Sequence, residues 1–242
     1  MEKFDHLIII GRPAAGKSEF IDYIKSLTDS ERIKKLHIGP FEEIDDFPWI
    51  WDKFMDDDLW EAAGFPRLFS FGGDNPGLKE DAGMLFDYCI ERFNRDIEKR
   101  YLSNKSFYKA HTLLIEFSRG GNDGYKNAFS RLRREVLERA AIFYIKVSAE
   151  ESWRRNVKRY EEKLKHSILA HMVPRRTFDA FYQVDDWEAL TKGSESGLLN
   201  LGSISVPFVT MLNEPELPPG PEIEERYMHA LGRLFELYRE AR

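Results

Sequence analysis

The chain has 242 residues and a mass of 28.4 kDa, enough for one large domain or two small ones. Hydrophobic residues make up 42% and argue against disorder; 32% are charged, and no apolar run approaches the ~18 residues of a membrane-spanning helix. Cys89 is the single cysteine, which excludes an internal disulfide and any cysteine-based zinc site.

The apolar stretch near the start, Leu7 to Ile10, is too short for the apolar region of a signal peptide, so the expectation is a cytoplasmic protein without a membrane partner. Net charge is −6, which does not point to nucleic acid. The charge is unevenly spread, with residues 41–62 carrying a net −8 and residues 131–176 a net +7. Such a split could hold an anion near one region and a metal near the other, although two solvated faces explain it more simply.

In chain order, Phe4 to Ile10 is a short β-rich run ending at Gly11 and reads as a buried strand. Phe20, Ile24 and Leu27 then recur at helical spacing. Lys35 to Ile38, closed by Gly39-Pro40, is a weaker strand candidate; His111–Phe117, Ile142–Val147 and Val206–Leu212 are three more. Helical stripes fall between them: Leu85, Cys89, Phe93, Ile97 and Tyr101; Trp153, Val157, Tyr160, Leu164 and Ile168; and Ile223, Tyr227, Leu231, Leu234 and Tyr238. Strands alternating with helices predict a parallel sheet covered on both faces. Gly120–Gly124, Lys192–Gly197 and Glu214–Pro221 read as flexible joints. The stretch 41–110 is long for a crossover and reads as a helical insertion. The six histidines show no paired metal spacing, His166 and His171 being five apart, and Cys89 reads as core.

One motif carries chemistry. Gly11-Arg12-Pro13-Ala14-Ala15-Gly16-Lys17-Ser18 matches GxxxxGK[ST], with a predicted strand before it and a helix after it. Such a loop points consecutive N–H groups and a helix N-terminus at phosphate oxygens; Lys17 adds a point charge, and the Ser18 hydroxyl is a Mg²⁺ ligand. A second Mg²⁺ anchor should be a carboxylate at the end of a neighbouring buried strand, and Glu116 closes His111–Phe117. A guanine-reading [NT]KxD is missing, since Asn104-Lys105 is followed by Ser106-Phe107. Asp74-Asn75-Pro76-Gly77 and Gly64-Phe65-Pro66-Arg67 imitate a switch and an adenylate-kinase loop without the flanking strand or partner motif.

The order of elements resembles the P-loop small-molecule kinases, nearest to the deoxynucleoside kinase and nucleoside-monophosphate kinase group. Glu116-Phe117-Ser118-Arg119 resembles a shuffled Glu-Arg-Ser motif, and Phe117-Ser118-Arg119 resembles the Phe-Pro-Arg of monophosphate kinases. Ile142 to Arg159 resembles the fourth strand and arginine-bearing lid helix, and Val206-Pro207-Phe208-Val209 the fifth strand. No glutamine stands in Phe69-Ser70-Phe71-Gly72-Gly73, where nucleoside kinases would read the base.

The resemblance implies a three-layer α/β P-loop fold in a single domain over 1–242. Its sheet is mainly parallel and five-stranded, its helical substrate insertion spans about 41–110 and its arginine lid about 150–190. It implies ATP and Mg²⁺ as cofactors, a nucleoside or nucleotide as acceptor, and compatibility with a homodimer. Arg155 and Arg159, one helical turn apart, are the expected lid arginines, against the simpler reading that they pair with Glu151 and Glu162; Arg119 is an expected substrate contact. The base that takes the acceptor proton is placed at Glu42 or Glu43, with Asp45 and Asp46 next. A P-loop ATPase that switches a protein or nucleic-acid partner is the alternative.

Overall fold

The computed structural model describes residues 2–164 and 172–242. Its strands are β1 (His6–Ile10), β2 (Phe41–Asp45), β3 (Ser70–Phe71), β4 (Gly77–Leu78), β5 (Thr112–Phe117), β6 (Ala140–Lys146), β7 (Ser196–Leu201) and β8 (Ile204–Leu212). The helices of the first half are α1 (Lys17–Ser26), α2 (Asp29–Leu36), α3 (Phe47–Ala62), α4 (Met84–Ile97) and α5 (Phe107–Ala110). Those of the second half are α6 (Gly124–Arg131), α7 (Arg134–Leu137), α8 (Ala149–Leu164), α9 (Arg175–Phe181), α10 (Trp187–Thr191) and α11 (Pro221–Glu240).

Strand β1 is buried along its whole length and sends alternate side chains to opposite faces, as a two-residue period requires. Ile8 and Ile10 join a core with Phe93, Phe129 and Trp187, whereas Leu7 and Ile9 join Phe20, Leu231 and Phe235 on the other face. The sheet is therefore covered on both sides, which is why its central strands read as continuous apolar runs. Six strands lie in the order β2-β5-β1-β6-β8-β7. The first five are parallel and β7 runs antiparallel to β8.

The sheet thus has six strands where five were expected, and its second strand stands elsewhere. Lys35 and Leu36 end α2, because Thr28 and Glu31 form a reciprocal capping box that starts a helix eight residues long. The strand is Phe41–Asp45 instead, an edge strand whose two glutamates face solvent. β7 starts inside the polar stretch read as a joint; an edge strand needs no continuous apolar run.

Between β2 and β5 the chain builds α3, the β3–β4 hairpin, a turn at Glu80–Ala82, α4 and α5. Ile50, Phe54, Leu78, Leu85 and Cys89 form a separate small core there. Asp57 pins the hairpin to α3 by accepting the N–H groups of Leu68, Phe69 and Ser70 and the Ser70 hydroxyl. Burial pushes its carboxyl up, but these four donors outweigh it and hold Asp57 below the usual range. A Cβ on Gly77 would meet Thr177 Oγ1 at 2.5 Å and a Pro174 carbon at 2.7 Å, so the hairpin sits hard against the start of α9. Among the described residues no helix is long and apolar enough to cross a membrane. The end of the Trp153 stripe (Leu164, Ile168), His166 and His171 fall outside the described residues and side chains.

The uneven charge is partly cancelled by pairs that reach outside each region. From the basic region Arg131 pairs with Asp87, Arg133 with Glu98, Arg139 with Asp5, Arg154 with Glu216 and Arg176 with Glu80. From the acidic region Glu43 pairs with Lys25, Asp46 with Arg119, and Asp58 and Glu61 share Arg67.

Candidate active site

In the order β2-β5-β1-β6-β8 the connections run to opposite sides of β1, and an open parallel sheet has its crevice above such a switch point. The loop Gly11–Gly16 leaves β1 there and enters α1 at Lys17. Ala14 adopts a left-handed conformation at φ 54° and Gly16 one at φ 110°. A left-handed Ala costs about 1–2 kcal/mol and persists where surrounding contacts hold the loop's shape. Asn213, just past β8, donates to Ala15 O at 2.8 Å; Ser152 of α8 donates to Pro13 O at 2.7 Å. Arg12 binds Val147 O and Tyr182 O and pairs with Asp185 at 2.6 Å. A Cβ at Gly16 would lie 2.5 Å from Asn213 Nδ2, so the clamp and the glycine require each other.

The result is a nest of loop N–H groups at a helix start, with Lys17 folded over it. Lys17 is nearly buried and donates to Gly11 O, to Arg12 O and to the Ser118 hydroxyl at 2.8 Å. Its Nζ lies 3.8 Å from Glu116. Parallel register sets Asp45 of β2 level with Glu116 of β5, so two carboxylates share the strand ends beside Lys17. Burial pushes Glu116 up to about 7; Lys17 opposes the shift and Asp45 adds to it. Burial and then the neighbouring Asp46 push Asp45 up to about 6. Asp45 accepts the Phe47 N–H and makes no ion pair among the described residues. Ser18 lines the same cleft.

The donors fit a nucleotide with a hard divalent cation. The loop supplies N–H groups and a lysine, and the neighbouring oxygens come from Ser18, Glu116 and Asp45. Among the described residues no cluster of three or more His, Cys, Asp or Glu stands ready to hold a metal. Mg²⁺ keeps several waters and takes one or two carboxylates beside substrate phosphates, and Ser18, Glu116 and Asp45 are the oxygens that would face it here.

The cleft encloses about 280 Å³ and changes character along its length. Its far end is walled by Ile50, Trp51 and Phe54 of α3, by Leu78, by Phe86 and by Tyr182. Arg119 lies beneath that end, 2% exposed, with its guanidinium on Asp46 at 2.6 Å, on Ser118 O and on Phe86 O. The same guanidinium sits over the rings of Phe86 and Phe117.

The structure separates the expected site residues. Lys17, Ser18, Glu116 and Arg159 line the cleft with Pro13 and Ala14 of the loop. Glu42 and Glu43 do not: Glu42 accepts from Tyr101 at 2.8 Å and from Arg100, and Glu43 pairs with Lys25 at 2.8 Å. They precede the strand end on an edge strand, and Asp45 occupies the position facing Glu116. Arg155 is 3% exposed and is consumed by Glu151 and Asn213 O, the simpler pairing for it. One turn further along α8, Arg159 reaches the cleft and lies 3.3 Å from Glu19. Arg119 is sealed from the cleft by its own partners. Asn213 and the α3 aromatic wall carried no motif; Ser118 stood inside the stretch Glu116–Arg119, but nothing local marked it as the hydroxyl that meets Lys17.

No family model matches the chain, and no curated protein does. Solved structures give distant likenesses. One is a chain of the Pnkp1/Rnl/Hen1 RNA repair complex at 14% identity and TM-score 0.43, covering 91% of this chain and 53% of that one. This protein therefore spans about half the length of that chain. A sugar kinase from Janibacter sp. HTCC2649 aligns at 10% identity and TM-score 0.39, covering 97% of this chain and 95% of that one. Shikimate kinase from Acinetobacter baumannii aligns at 14% and 0.34, covering 99% and 81%. Likenesses at these scores say nothing about what this chain acts on.

Proposed function

We propose that the protein is a Mg²⁺-dependent phosphotransferase that moves the γ-phosphoryl group of ATP to a hydroxyl of a small acceptor. The observation that carries this reading is the pairing in register of Asp45 with Glu116 beside Lys17, at the mouth of a cleft with an apolar end. A phosphate loop alone serves many proteins; a second carboxylate that makes no ion pair among the described residues and lines the same cleft is what an acceptor hydroxyl needs.

In this reading the loop N–H groups and Lys17 hold the β- and γ-phosphates, and Ser18 and Glu116 would hold Mg²⁺. Bound Mg²⁺ supplies charge neutralisation on the phosphate oxygens. Asp45 accepts the proton of the acceptor hydroxyl, whose oxygen forms the new bond to phosphorus as the bond to the bridging oxygen of ADP breaks. Arg159 stabilises charge on the transferring oxygens, and its present partner Glu19 is exposed and exchangeable. The segments at about 41–110 and 150–190 would act as acceptor platform and lid. Arg155 holds the lid's root to the phosphate loop through Asn213 and touches no substrate.

The test is single-turnover phosphate transfer from radiolabelled ATP across a library of hydroxyl compounds, with and without Mg²⁺. Transfer that needs both metal and acceptor supports the reading. Equal ATP hydrolysis with and without every acceptor would sink it.

A further inference from the structure

The side chain at loop position 12 works outside the phosphate nest. Pro13, Ala14, Lys17 and Ser18 line the cleft, whereas the Arg12 guanidinium reaches three other segments. Its Nε donates to Tyr182 O at 3.0 Å and its Nη1 to Val147 O at 3.1 Å, and the pair with Asp185 closes to 2.6 Å. Asp185 is itself fixed, since it also accepts the Tyr144 hydroxyl at 3.0 Å and the Trp187 N–H at 3.1 Å. The Arg12 and Asp185 side chains are 13% and 5% exposed, so the guanidinium fork is held in one orientation.

Tyr182 closes the C-terminal end of α9, and that end is packed tightly. A Cβ on Gly120 would lie 1.9 Å from Phe181 O, and the Gly121 N–H donates to Val184 O at 2.7 Å. Just beyond, Asp186 accepts the Tyr125 and Lys126 N–H groups, both at 2.9 Å. The other end of α9 stands on the acceptor platform. Thr177 donates to Leu78 O at 2.9 Å, Pro174 and Thr177 leave no room for a Cβ on Gly77, and Arg176 pairs with Glu80 at 2.7 Å. The helix has seven residues and therefore spans about 10 Å. It is a short strut, with the phosphate loop at one end and the β3–β4 hairpin at the other. Pro174, Thr177 and Tyr182 also line the cleft, so a shift of the strut is a shift of its wall. Close-packed contacts of this kind transmit displacement and do not absorb it.

We infer that Arg12 is a positioning residue and not a phosphate ligand: it ties α9 to the phosphate loop, so that nucleotide bound at the loop steadies the acceptor platform through α9. Lys17 now donates to Arg12 O as well as to Gly11 O. Bound phosphate draws Lys17 away from both, and so acts on Arg12 through that residue's own backbone. The nucleotide prefers the clamped loop to a released one, and that preference is what biases α9. By linkage, an acceptor on the platform strengthens nucleotide binding in return. The inference rests on nucleotide binding at the loop, and it gives a residue of the phosphate motif a part in the acceptor half of the reaction.

The experiment uses the full chain, with Mg²⁺ and the imido analogue of ATP as the probe. Calorimetry comes first: no binding by the parent would sink the nucleotide reading, and the inference with it. Hydrogen exchange is then followed by mass spectrometry over residues 174–185 and 69–80, with α2 as the reference. In the parent, analogue at about 100 times its Kd should slow both segments about 10-fold, within the ~100-fold ceiling set by mass action, and leave α2 unchanged. Arg12→Lys keeps a charge for Asp185 but lacks the planar fork that serves Tyr182 O and Val147 O. It should melt close to the parent and bind the analogue within about 5-fold, the low end of coupling between sites, yet lose the slowing in both segments. Arg12→Gln/Asp185→Asn removes both charges together and should behave alike, which keeps the test readable if Arg12→Lys fails to fold. Slowing that persists in either segment of a folded variant would overturn the inference, as would a parent in which the analogue slows neither segment. A larger loss of analogue affinity in a folded variant, the mark of a direct phosphate contact, would overturn it as well.

Discussion

In the phosphate half of the cleft Lys17 sits 3.8 Å from Glu116, shares hydrogen bonds with its own loop, and can exchange all of them for a ligand. In the acceptor half Arg119 and Asp46 meet at 2.6 Å, 2% and 4% exposed, and are closed off by Phe86 and Phe117. Both are basic–acidic pairs at the same sheet edge, yet one is arranged to be displaced and the other to be permanent. The difference teaches that charge near a cleft has meaning only after its partners are counted. A buried pair closed off by its neighbours contributes shape even with the Arg119 Nε left without a hydrogen-bond partner, and a loosely held lysine stays open to a ligand.

The largest effect should come from breaking the loose pair. Lys17→Ala should cost at least ~1,000-fold in kcat/KM, the upper end for loss of one preorganised donor, and should abolish productive nucleotide binding. The Tm should stay near the parent value, as read by calorimetry and melting in parallel. Unchanged ATP affinity would refute the assignment of the loop.

Breaking the sealed pair should instead show in stability. Arg119→Leu leaves Asp46 buried without a counter-charge, so unfolding free energy should fall by about 3–5 kcal/mol, with a large part restored in Arg119→Leu/Asp46→Asn. Denaturant titration checks this. A stable Arg119→Leu protein with weakened acceptor binding would return Arg119 to the substrate.

Asp45→Asn sharpens the comparison from the side of chemistry. Loss of a general base costs about 100- to 10,000-fold, with little change in nucleotide affinity. In the parent protein the rate should fall tenfold per unit as pH drops below about 6, where Asp45 takes up its proton. That limb should vanish in the variant, and a pH–rate profile under single turnover reads both.

The two arginines of α8 divide in the same way. Arg159→Ala should lower the rate by ~100-fold, equivalent to about 3 kcal/mol, with nucleotide affinity nearly kept and only partial rescue by Lys. Arg155→Ala should lower Tm first, since it removes the contact to Asn213 O and leaves that junction unpaired.

The smallest effect concerns Glu116. Its carboxyl is raised to about 7, so between the unfolded-state value and 7 the folded protein binds the extra proton. Stability should therefore fall as pH rises through 7, and Glu116→Gln should melt a few degrees higher than the parent at pH 8 and nearly level with it at pH 5. Mg²⁺ affinity should weaken below pH 7 as the proton competes with the metal. Melting curves across pH, with and without Mg²⁺, measure both.

Local sequence was sufficient for features whose physics is local. The loop Gly11–Ser18 carries its conformation and chemistry in consecutive residues, and the central strands carry theirs in apolar runs because both faces are buried. Residues 35–38 misled because an upstream capping box, Thr28 with Glu31, decided the matter, and β7 stayed hidden because an edge strand needs no apolar run. What only the tertiary structure decided is which charges remain available. Glu43 and Asp45 stand two places apart in one strand, and pairing to Lys25 in one case and alignment with Glu116 in the other separate their surroundings. Arg155 and Arg159 stand one turn apart, and the position of Asn213, 58 residues after Arg155, places one in the scaffold and leaves the other at the cleft. An ionisable side chain's role depends on its solvent and its counter-charge, and both are set by segments distant in the chain.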